Sequence, residues 1–412
     1  MALIVQKYGG TSVADVERIK NVAKRVAKTR AEGNDVVVVL SAMAGETARL
    51  IDLATEAGCP PEGGREFDVI VSTGEQVTVG LLSIILNASG CEAVSMLGPQ
   101  VPILTDSGFS SARISKIGIA NISRELKAGR VVVVTGFQGV DADGNITTLG
   151  RGGSDTSAVA IAAALEADLC EVYTDVEGVF TTDPNICPEA RKIKRISYDE
   201  MLEMAGLGAK VLQTRSVEFS RKYSVPLMVR SSFSDAEGTL VTKEDGEMEK
   251  AAVSGIAYNK NEAKISVVRV PDKPGVAVDL FRPLSEAGIN VDMIVQNISH
   301  EGFTDMTFTV PKGDYKRALS LVKASAVGLE AKEVAGSESI AKISVVGAGM
   351  KSHAGVATKV FEVLSEENIN IEMISTSEIK ISCVIEESDT ERAVKTLHKA
   401  FALEKNEVEE EE

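Results

Sequence analysis

The hydrophobic positions of the first 230 residues fall into short unbroken runs rather than alternating ones. Residues 36–39 are four consecutive valines inside 35–40, and residues 131–134 are four more inside 130–135. Residues 3–8 and 170–174 are shorter versions. Runs of this kind fit strands covered on both faces, as in a parallel sheet between helical layers. Between them, residues 16–30, 77–87 and 156–165 read as helices. The pattern predicts an α/β three-layer sandwich with a largely parallel sheet. Each strand also ends in glycine or polar residues. Residues 3–8 run into Gly9-Gly10-Thr11-Ser12, 36–40 into Ser41, 131–135 into Gly136-Phe137-Gln138-Gly139, and Val172-Tyr173 into Thr174-Asp175. In open α/β sheets, ligands sit outside the carboxyl ends of the strands, so four such ends are expected on one edge.

After residue 230 the pattern changes. Residues 231–250 are polar and rich in Ser, Gly, Asp and Glu, and read as a connection. Beyond it the chain repeats itself. Residues 264–268 and 342–346 are the same pentapeptide, Lys-Ile-Ser-Val-Val, and 275–294 matches 355–374 at eleven of twenty positions. A duplicated module follows. Each copy reads strand, turn, helix, strand, strand, helix. Copy one has a last strand near 329–334, whereas copy two runs into an acidic tail. The unassigned strand 253–259 is therefore expected to complete the sheet of copy two, with copy one inserted within it. The expected plan is a first domain over 1–235, a linker over 236–251, module one over 260–336, module two over 252–259 plus 337–403, and a disordered tail over 404–412.

Composition removes several classes of function. The net charge is −16, which argues against a nucleic-acid partner or an anionic membrane surface, since both need a basic patch. Part of that excess is the run of acidic residues closing the chain. No apolar run reaches the ~18 residues a membrane span needs. Met1-Ala2-Leu3-Ile4-Val5 enters a strand directly, unlike a basic leader, so a cytoplasmic protein is expected. The cysteines Cys59, Cys91, Cys170, Cys187 and Cys383 are odd in number and lack metal-like spacing, and read as reduced thiols. The three histidines, His300, His353 and His398, all lie in the last third. Chemistry in the first two-thirds must then proceed without Ser-His or Cys-His nucleophiles or a His-bound zinc.

Four segments carry chemistry. Lys7-Tyr8-Gly9-Gly10-Thr11-Ser12 takes a lysine off a strand into two glycines and a helix, which suits phosphate oxygens; a tight turn with a surface lysine is the alternative. Gly150-Arg151-Gly152-Gly153-Ser154-Asp155-Thr156 opens a helix. Ser154 or Asp155 could simply cap it, but three glycines and an arginine exceed what a cap requires and offer a nest of N–H groups beside a guanidinium. The stretch from Thr174 to Pro184, with Asp175, Val179, Phe180, Thr181, Thr182 and Asp183, reads as a nucleotide-binding loop rather than a plain turn. Glu75, after Gly74, is either half of a capping box with Ser72 or a carboxylate for a substrate ammonium. One decoy is set aside: Gly347-Ala348-Gly349-Met350-Lys351-Ser352 resembles the end of a phosphate loop, but its spacing is wrong and it lies inside the repeat.

Taken together, residues 7–13, Ser41-Ala42, Gly74-Glu75, 136–139, 150–156, 174–184 and Gly208-Ala209-Lys210-Val211-Leu212 resemble the amino acid kinase family, and within it the aspartate kinases. The duplicated module resembles tandem ACT domains, of ferredoxin-like α+β fold. The resemblance covers nearly the whole chain. It implies phosphorylation of the L-aspartate side chain by ATP with Mg²⁺, opening the route to lysine, threonine, methionine and diaminopimelate. It implies that Lys7, Tyr8, Gly9, Gly10, Tyr173, Thr174, Asp175, Val179, Phe180, Thr181, Thr182, Asp183 and Lys210 serve ATP. Ser41, Thr47, Gly74, Glu75, Arg151, Gly152, Gly153 and Ser154 would hold aspartate, with Lys7, Arg151 and Asp155 catalytic. Effector amino acids, lysine or threonine or both, would use Asp272, Lys273, Pro274, Gly275, Val276, Ala277, Asn290, Val291, Asp292 and Gln296. In the second copy the expected residues are Val356, Ala357, Asn370, Ile371, Ser377 and Glu378. No metal ligand set is expected from the protein. A homo-oligomer, dimer or tetramer, through the ACT domains is implied, and a separate regulatory subunit started near Met248 is compatible with the family. The acceptor carboxylate, with a pKa near ~3.9, is already ionised at neutral pH, which removes the need for a histidine base.

Overall fold

The computed structural model describes residues 1–206, 211–245, 251–298 and 302–405. The chain divides into two compact units, one built from most of residues 1–248, the other from Phe180–Arg191 and the residues after 248. In the first unit the elements run β1 (Leu3–Tyr8), α1 (Val16–Ala31), β2 (Asp35–Leu40), α2 (Glu46–Glu56), α3 (Arg65–Val71), α4 (Thr73–Ala88), β3 (Ala93–Met96), β4 (Ile103–Thr105), β5 (Ile114–Ile117) and α5 (Ala120–Lys127). They continue with β6 (Val131–Thr135), β7 (Gln138–Val140), β8 (Ile146–Thr148), α6 (Gly153–Ala164), β9 (Leu169–Thr174), β10 (Arg195–Ser197), α7 (Tyr198–Gly206), α8 (Thr214–Tyr223), β11 (Leu227–Ser231) and β12 (Thr239–Thr242).

Eight strands form the main sheet in the order β10-β12-β11-β9-β1-β2-β6-β3. The pairs from β11 to β3 are parallel, and the direction reverses between β11 and β12. The valine runs lie at its centre, where Val36, Val37, Val38 and Val39 are fully buried, as are Val131 to Val134. On one face α1 and α4 close a core of Val22, Val26, Val79, Leu82 and Leu86 over Val36, Val38, Val131 and Val133. Helix α6 covers β1, β2 and β9 from the other side. A small sheet, β5-β4-β7-β8, stands apart.

Two expectations are corrected here. The polar stretch expected to be a linker contributes β12, whose Val241 is buried and whose Thr239 hydroxyl donates to the Ile193 carbonyl at 2.6 Å, so the sheet extends past residue 235. Helix α4 begins at Thr73, four residues before the expected start, and its Gly74 packs against Ala42 where a side chain would clash. Helices α3 and α4 abut; the stretch Arg65–Ala88 is long and apolar enough to cross a membrane by length and composition, and half of it is buried inside the fold.

The second unit is one six-stranded antiparallel sheet, in the order β14-β15-β13-β16-β18-β17. Its elements are β13 (Gly255–Pro271), α9 (Val276–Glu286), β14 (Ile294–Ile298), β15 (Phe303–Pro311), α10 (Tyr315–Gly328), β16 (Glu333–Val346), α11 (Val356–Glu366), β17 (Met373–Thr376), β18 (Lys380–Glu386) and α12 (Thr390–Ala400). Residues 255–259 pair with 342–346, the first strand of copy two, while 264–268 pair with 333–337. The strands expected as separate pieces are thus two long ones, β13 and β16, each belonging to both copies.

Candidate active site

Strands β9, β1, β2 and β6 lie side by side and point the same way, which brings their carboxyl ends to one edge. Lys7 is the penultimate residue of β1. Strand alternation sends it to the α6 side, opposite Gln6 and Tyr8. Its ammonium pairs with Asp155 Oδ1 at 2.5 Å, with only 11% and 10% of the two side chains exposed. Asp155 is available because neither it nor Ser154 caps α6. Gly152 is the N-cap, left-handed at φ 71°, without a side-chain cap. In the first turn of α6 the Asp155 carboxylate also complements the helix dipole.

Close approaches explain two glycines. A Cβ at Gly136 would lie 2.8 Å from Ser154 Cβ and 2.9 Å from the Leu40 carbonyl, so β6 can end against α6 only without a side chain. One at Gly10 would come within 3.0 Å of the Ala42 carbonyl. Gly10 thus packs backbone to backbone against Ala42 and Ala44, just past the strand end that carries Lys7.

Glu75 lies in the first turn of α4 and is 3% exposed. The capping-box alternative fails, since Ser72 makes no side-chain cap and its hydroxyl donates to the Val69 carbonyl at 3.0 Å. Instead Glu75 Oε1 accepts the Ala42 N–H at 3.0 Å, at the end of β2. Its Oε2 is buried with no hydrogen-bond partner. Burial pushes the carboxyl up to about 7, against the pull of the Ala42 N–H. Thr78 Oγ1 donates to the Ser41 carbonyl at 3.0 Å and ties this turn to the strand end. Thr47, near the start of α2, follows the left-handed Gly45 and is half-buried.

Tyr8 and Tyr173 are corrected. Both are buried on the α1 side of the sheet, stacked at 4.6 Å between centroids and 7° between planes. Their hydroxyls are held by Gln6 and Glu171, so neither ring reaches the strand-end edge. The Tyr173 carbonyl does contribute, by accepting the Gly9 N–H at 3.2 Å. Gly9 is therefore positioned by β9, and its own N–H is committed.

Thr174 is half-buried, Asp175 is exposed, and the Val179 N–H is held by Thr239 Oγ1 at 2.8 Å. From Phe180 onward the loop belongs to the second unit. There Thr181 and Thr182 are buried, and the Thr181 hydroxyl is occupied by Arg191 N–H and His398. The Thr181 hydroxyl is therefore not free for the nucleotide contact expected of it, whereas Thr182 Oγ1 is buried without a hydrogen-bond partner. Arg151 is exposed. Lys210 lies outside the described residues, as does Met248.

Asp68 was missed by sequence reasoning. It is fully buried in α3 and accepts from Ser110 N–H, Thr148 N–H and Thr148 Oγ1 at 2.7–3.0 Å. It thereby fixes β8 and the turn at Gly150, which is left-handed at φ 74° and packs on the Ser110 carbonyl. The signal was an aspartate inside the apolar run Phe67-Asp68-Val69-Ile70-Val71.

In the second unit, α9 and α11 each follow a left-handed glycine, Gly275 at φ 100° and Gly355 at φ 96°. Asp272, Lys273, Pro274, Ala277, Asn290 and Gln296 are exposed around the first turn, and Asn370, Ser377 and Glu378 around the second. Val276, Val291, Ala357 and Ile371 are half-buried, and Val356 is in the core. One carboxylate oxygen of Asp292 pairs with Lys342, as one of Glu372 pairs with Lys264, while the Asp292 side chain stays 58% exposed. Among the described residues no group of three or more His, Cys, Asp or Glu could hold a metal ion. All five cysteines are unpaired.

A model of the amino acid kinase family matches residues 2–231. The chain belongs to that family. ACT domain models match residues 265–326 and 343–401. Within the family the chain falls among the aspartate kinases. It is 59% identical over 405 residues to the aspartokinase of Pseudomonas aeruginosa, covering 98% of both chains. It is 51% identical over 405 residues to that of Helicobacter pylori, covering 97% of this chain and 99% of the other. Among solved structures, E. coli aspartokinase III in complex with aspartate and ADP matches with a TM-score of 0.79 at 26% identity, covering 97% of this chain and 99% of that one.

Proposed function

We propose that this amino acid kinase transfers the γ-phosphoryl group of ATP to the side-chain carboxylate of L-aspartate, giving 4-phospho-L-aspartate and ADP. The observation that carries the reading is Glu75, a buried carboxylate whose Oε2 lacks a partner and whose pKa is lifted to about 7. Buried polar atoms are nearly always paired. A substrate α-ammonium supplies the missing donors and draws the pKa back down. The exposed Arg151 guanidinium, flanked by Gly150 and Gly152, clamps the α-carboxylate.

The difficulty of the reaction is bringing two anions together, not removing a proton. Lys7, held on the α6 side by Asp155, places a fixed cation where charge develops on the phosphoryl group. Gly10, which carries no side chain, lets the chain after Lys7 approach the phosphates closely. Mg²⁺, when bound, neutralises phosphate oxygens. Among the described residues no acidic or His/Cys cluster could form a cage for it, and an ion carried mainly by nucleotide and water needs none. E. coli aspartokinase III has been solved with aspartate and ADP and also with lysine and aspartate. By the same likeness, the second unit senses end-product amino acids, lysine or threonine or both, at the turns before α9 and α11. We also place the enzyme in the cytoplasm, as a homo-oligomer joined through its ACT domains, with a separately started regulatory subunit as a further form.

Aspartate-dependent ADP release, with the acyl phosphate trapped as a hydroxamate, tests the reaction. It is repeated with glutamate and N-acetylglutamate as acceptors and with lysine, threonine and the pair as inhibitors. ADP release indifferent to aspartate overturns the reading.

A further inference from the structure

The α1 side of the main sheet carries charges that phosphoryl transfer does not use. A cavity of about 520 Å³ runs beside α1, over β1, β9 and β11, and every residue lining it belongs to the first unit. Small-molecule sites commonly span ~300–1,000 Å³. Lys7 faces α6, whereas Tyr173 lines this cavity from the α1 side, so the two places lie on opposite faces of the sheet.

Four cations line it: Lys24, Arg25 and Lys28 from α1, and Arg230 from β11. The chain as a whole carries −16, so such a cluster runs against its composition. Like charges four apart on a helix, as at Lys24 and Lys28, also oppose each other. The acids nearby leave the cluster unbalanced. Glu171 is 5% exposed, and its Oε2 accepts from Gln6 Nε2 at 2.8 Å and from the Tyr173 hydroxyl at 3.1 Å. Its Oε1 lies 3.5 Å from Arg230 Nη1. Asp235 pairs with Arg25 at 3.1 Å but is 89% exposed, and a pair open to water is worth little. Glu32, the C-cap residue of α1, is exposed. Lys24 and Lys28 are exposed too and make no ion pair among the described residues.

The two guanidinium groups are differently placed. Arg25 is fixed over the Tyr173 ring at 5.1 Å and donates to the Ser234 carbonyl at 3.2 Å. Arg230 Nε is buried with no hydrogen-bond partner. Buried polar atoms are nearly always paired, and an oxyanion in the cavity supplies the missing acceptor.

We propose that this cavity binds a small organic anion with at least two oxyanion groups, one met by Arg25 and Arg230, the other by Lys24 and Lys28. Ile4 and Leu169, half-buried in the lining, suit an aliphatic body between them. The Tyr173 ring is already stacked on Tyr8 and covered by Arg25, which leaves little of it for an aromatic ligand. A polycarboxylate and a sugar bisphosphate share this chemistry.

The test titrates full-length enzyme, without Mg²⁺, by calorimetry with citrate and separately with fructose 1,6-bisphosphate. Salt is kept at about 0.15 M, where exposed charges are screened beyond ~8 Å. One or both probes should bind one to one. Lys24→Gln combined with Lys28→Gln should weaken that binding about tenfold or more, while aspartate-dependent ADP release stays at the wild-type rate and shows the variant folded. Arg230→Gln should weaken it roughly 10- to 100-fold, the worth of hydrogen bonds to a charged group. Lys7→Ala combined with Asp155→Ala should leave the affinity unchanged, unlike that of a probe held at the strand-end site. Binding of citrate alone assigns a carboxylate ligand, of the bisphosphate alone a phosphate ester, and of both the shared oxyanion chemistry. Binding of neither tighter than about 1 mM overturns the proposal. So does binding that either the lysine variant or Arg230→Gln leaves unweakened.

Discussion

Glu75 carries two demands that oppose each other. Its folded pKa, about 7, lies above the ordinary 4.5, so the neutral form is favoured in the fold. The sign follows: its contribution to stability is full below about 4.5 and is lost as pH rises through about 7. A shift of that size is on the order of 3 kcal/mol. Binding an ammonium needs the opposite state, the carboxylate. We therefore expect kcat/KM for aspartate to rise with pH and level off above about 7. Glu75→Gln should flatten that limb and lower kcat/KM by roughly 10- to 100-fold, the worth of a charged hydrogen bond. The same variant should melt at a higher temperature than wild type at pH 8. An unchanged pH profile would remove Glu75 from the aspartate site. Lys7 gives a second case. Lys7→Ala should lower kcat at least ~100-fold, as for other lost transition-state donors. It also strands Asp155, which is 7% exposed, so Lys7→Ala should destabilise as well. Adding Asp155→Ala should recover melting temperature but not turnover, which separates the two roles.

At the scale of elements, the site depends on how tightly strand ends meet helix starts. Gly136→Ala would push a methyl group into the Leu40 carbonyl and Ser154 Cβ, both within 3 Å. Backbone cannot yield as a side chain does, so a loss of about 1–3 kcal/mol is expected in chemical denaturation, together with reduced turnover as Ser154 is displaced. Much of this was legible. Unbroken valine runs mark strands covered on both faces, and glycines after them mark the edge where ligands sit. The Tyr8 error was avoidable, since strand alternation that aims Lys7 at α6 must turn Tyr8 away. Asp175 and Arg151, expected from motif alone, are both exposed. Asp68 and β12 could not. A buried aspartate is recognised by the three donors it meets, and those come from Ser110 and Thr148, more than forty residues distant. Strand β12 is a polar-looking segment that becomes a strand because β10 and β11 leave a gap for it. Both are tertiary effects, invisible to local pattern.

At the largest scale, the duplication has consequences the repeat alone did not reveal. Strands β13 and β16 pass through both ACT copies, so neither copy has a complete sheet of its own. The repeated pentapeptide places a lysine at equivalent points, and each reaches across to an acidic residue of the other copy: Lys264 to Glu372, and Lys342 to Asp292. The two crossings are not equally buried. Lys342 has 4% of its side chain exposed and also pairs with Glu262, at 7%, whereas Lys264 and Glu372 stand at 22% and 17%. Burial alone would push the Lys342 ammonium down, but Glu262 and Asp292 raise it above its ordinary value, so it stays charged. Removing one partner of a buried pair leaves an uncompensated charge, at about 3–5 kcal/mol. Lys342→Met should therefore destabilise by about that much, because Glu262 is stranded, while Asp292, 58% exposed, returns to water. Lys264→Met should cost markedly less, since both members of its pair already meet solvent. Lys342→Met with Glu262→Leu should recover most of the loss, as apolar replacements of buried pairs do. The measurement is urea denaturation of the full chain followed by hydrogen exchange of β13 and β16, which reports on this sheet alone. Equal losses for the two lysine variants would mean that the crossings act as surface pairs and that the shared strands by themselves hold the copies in register.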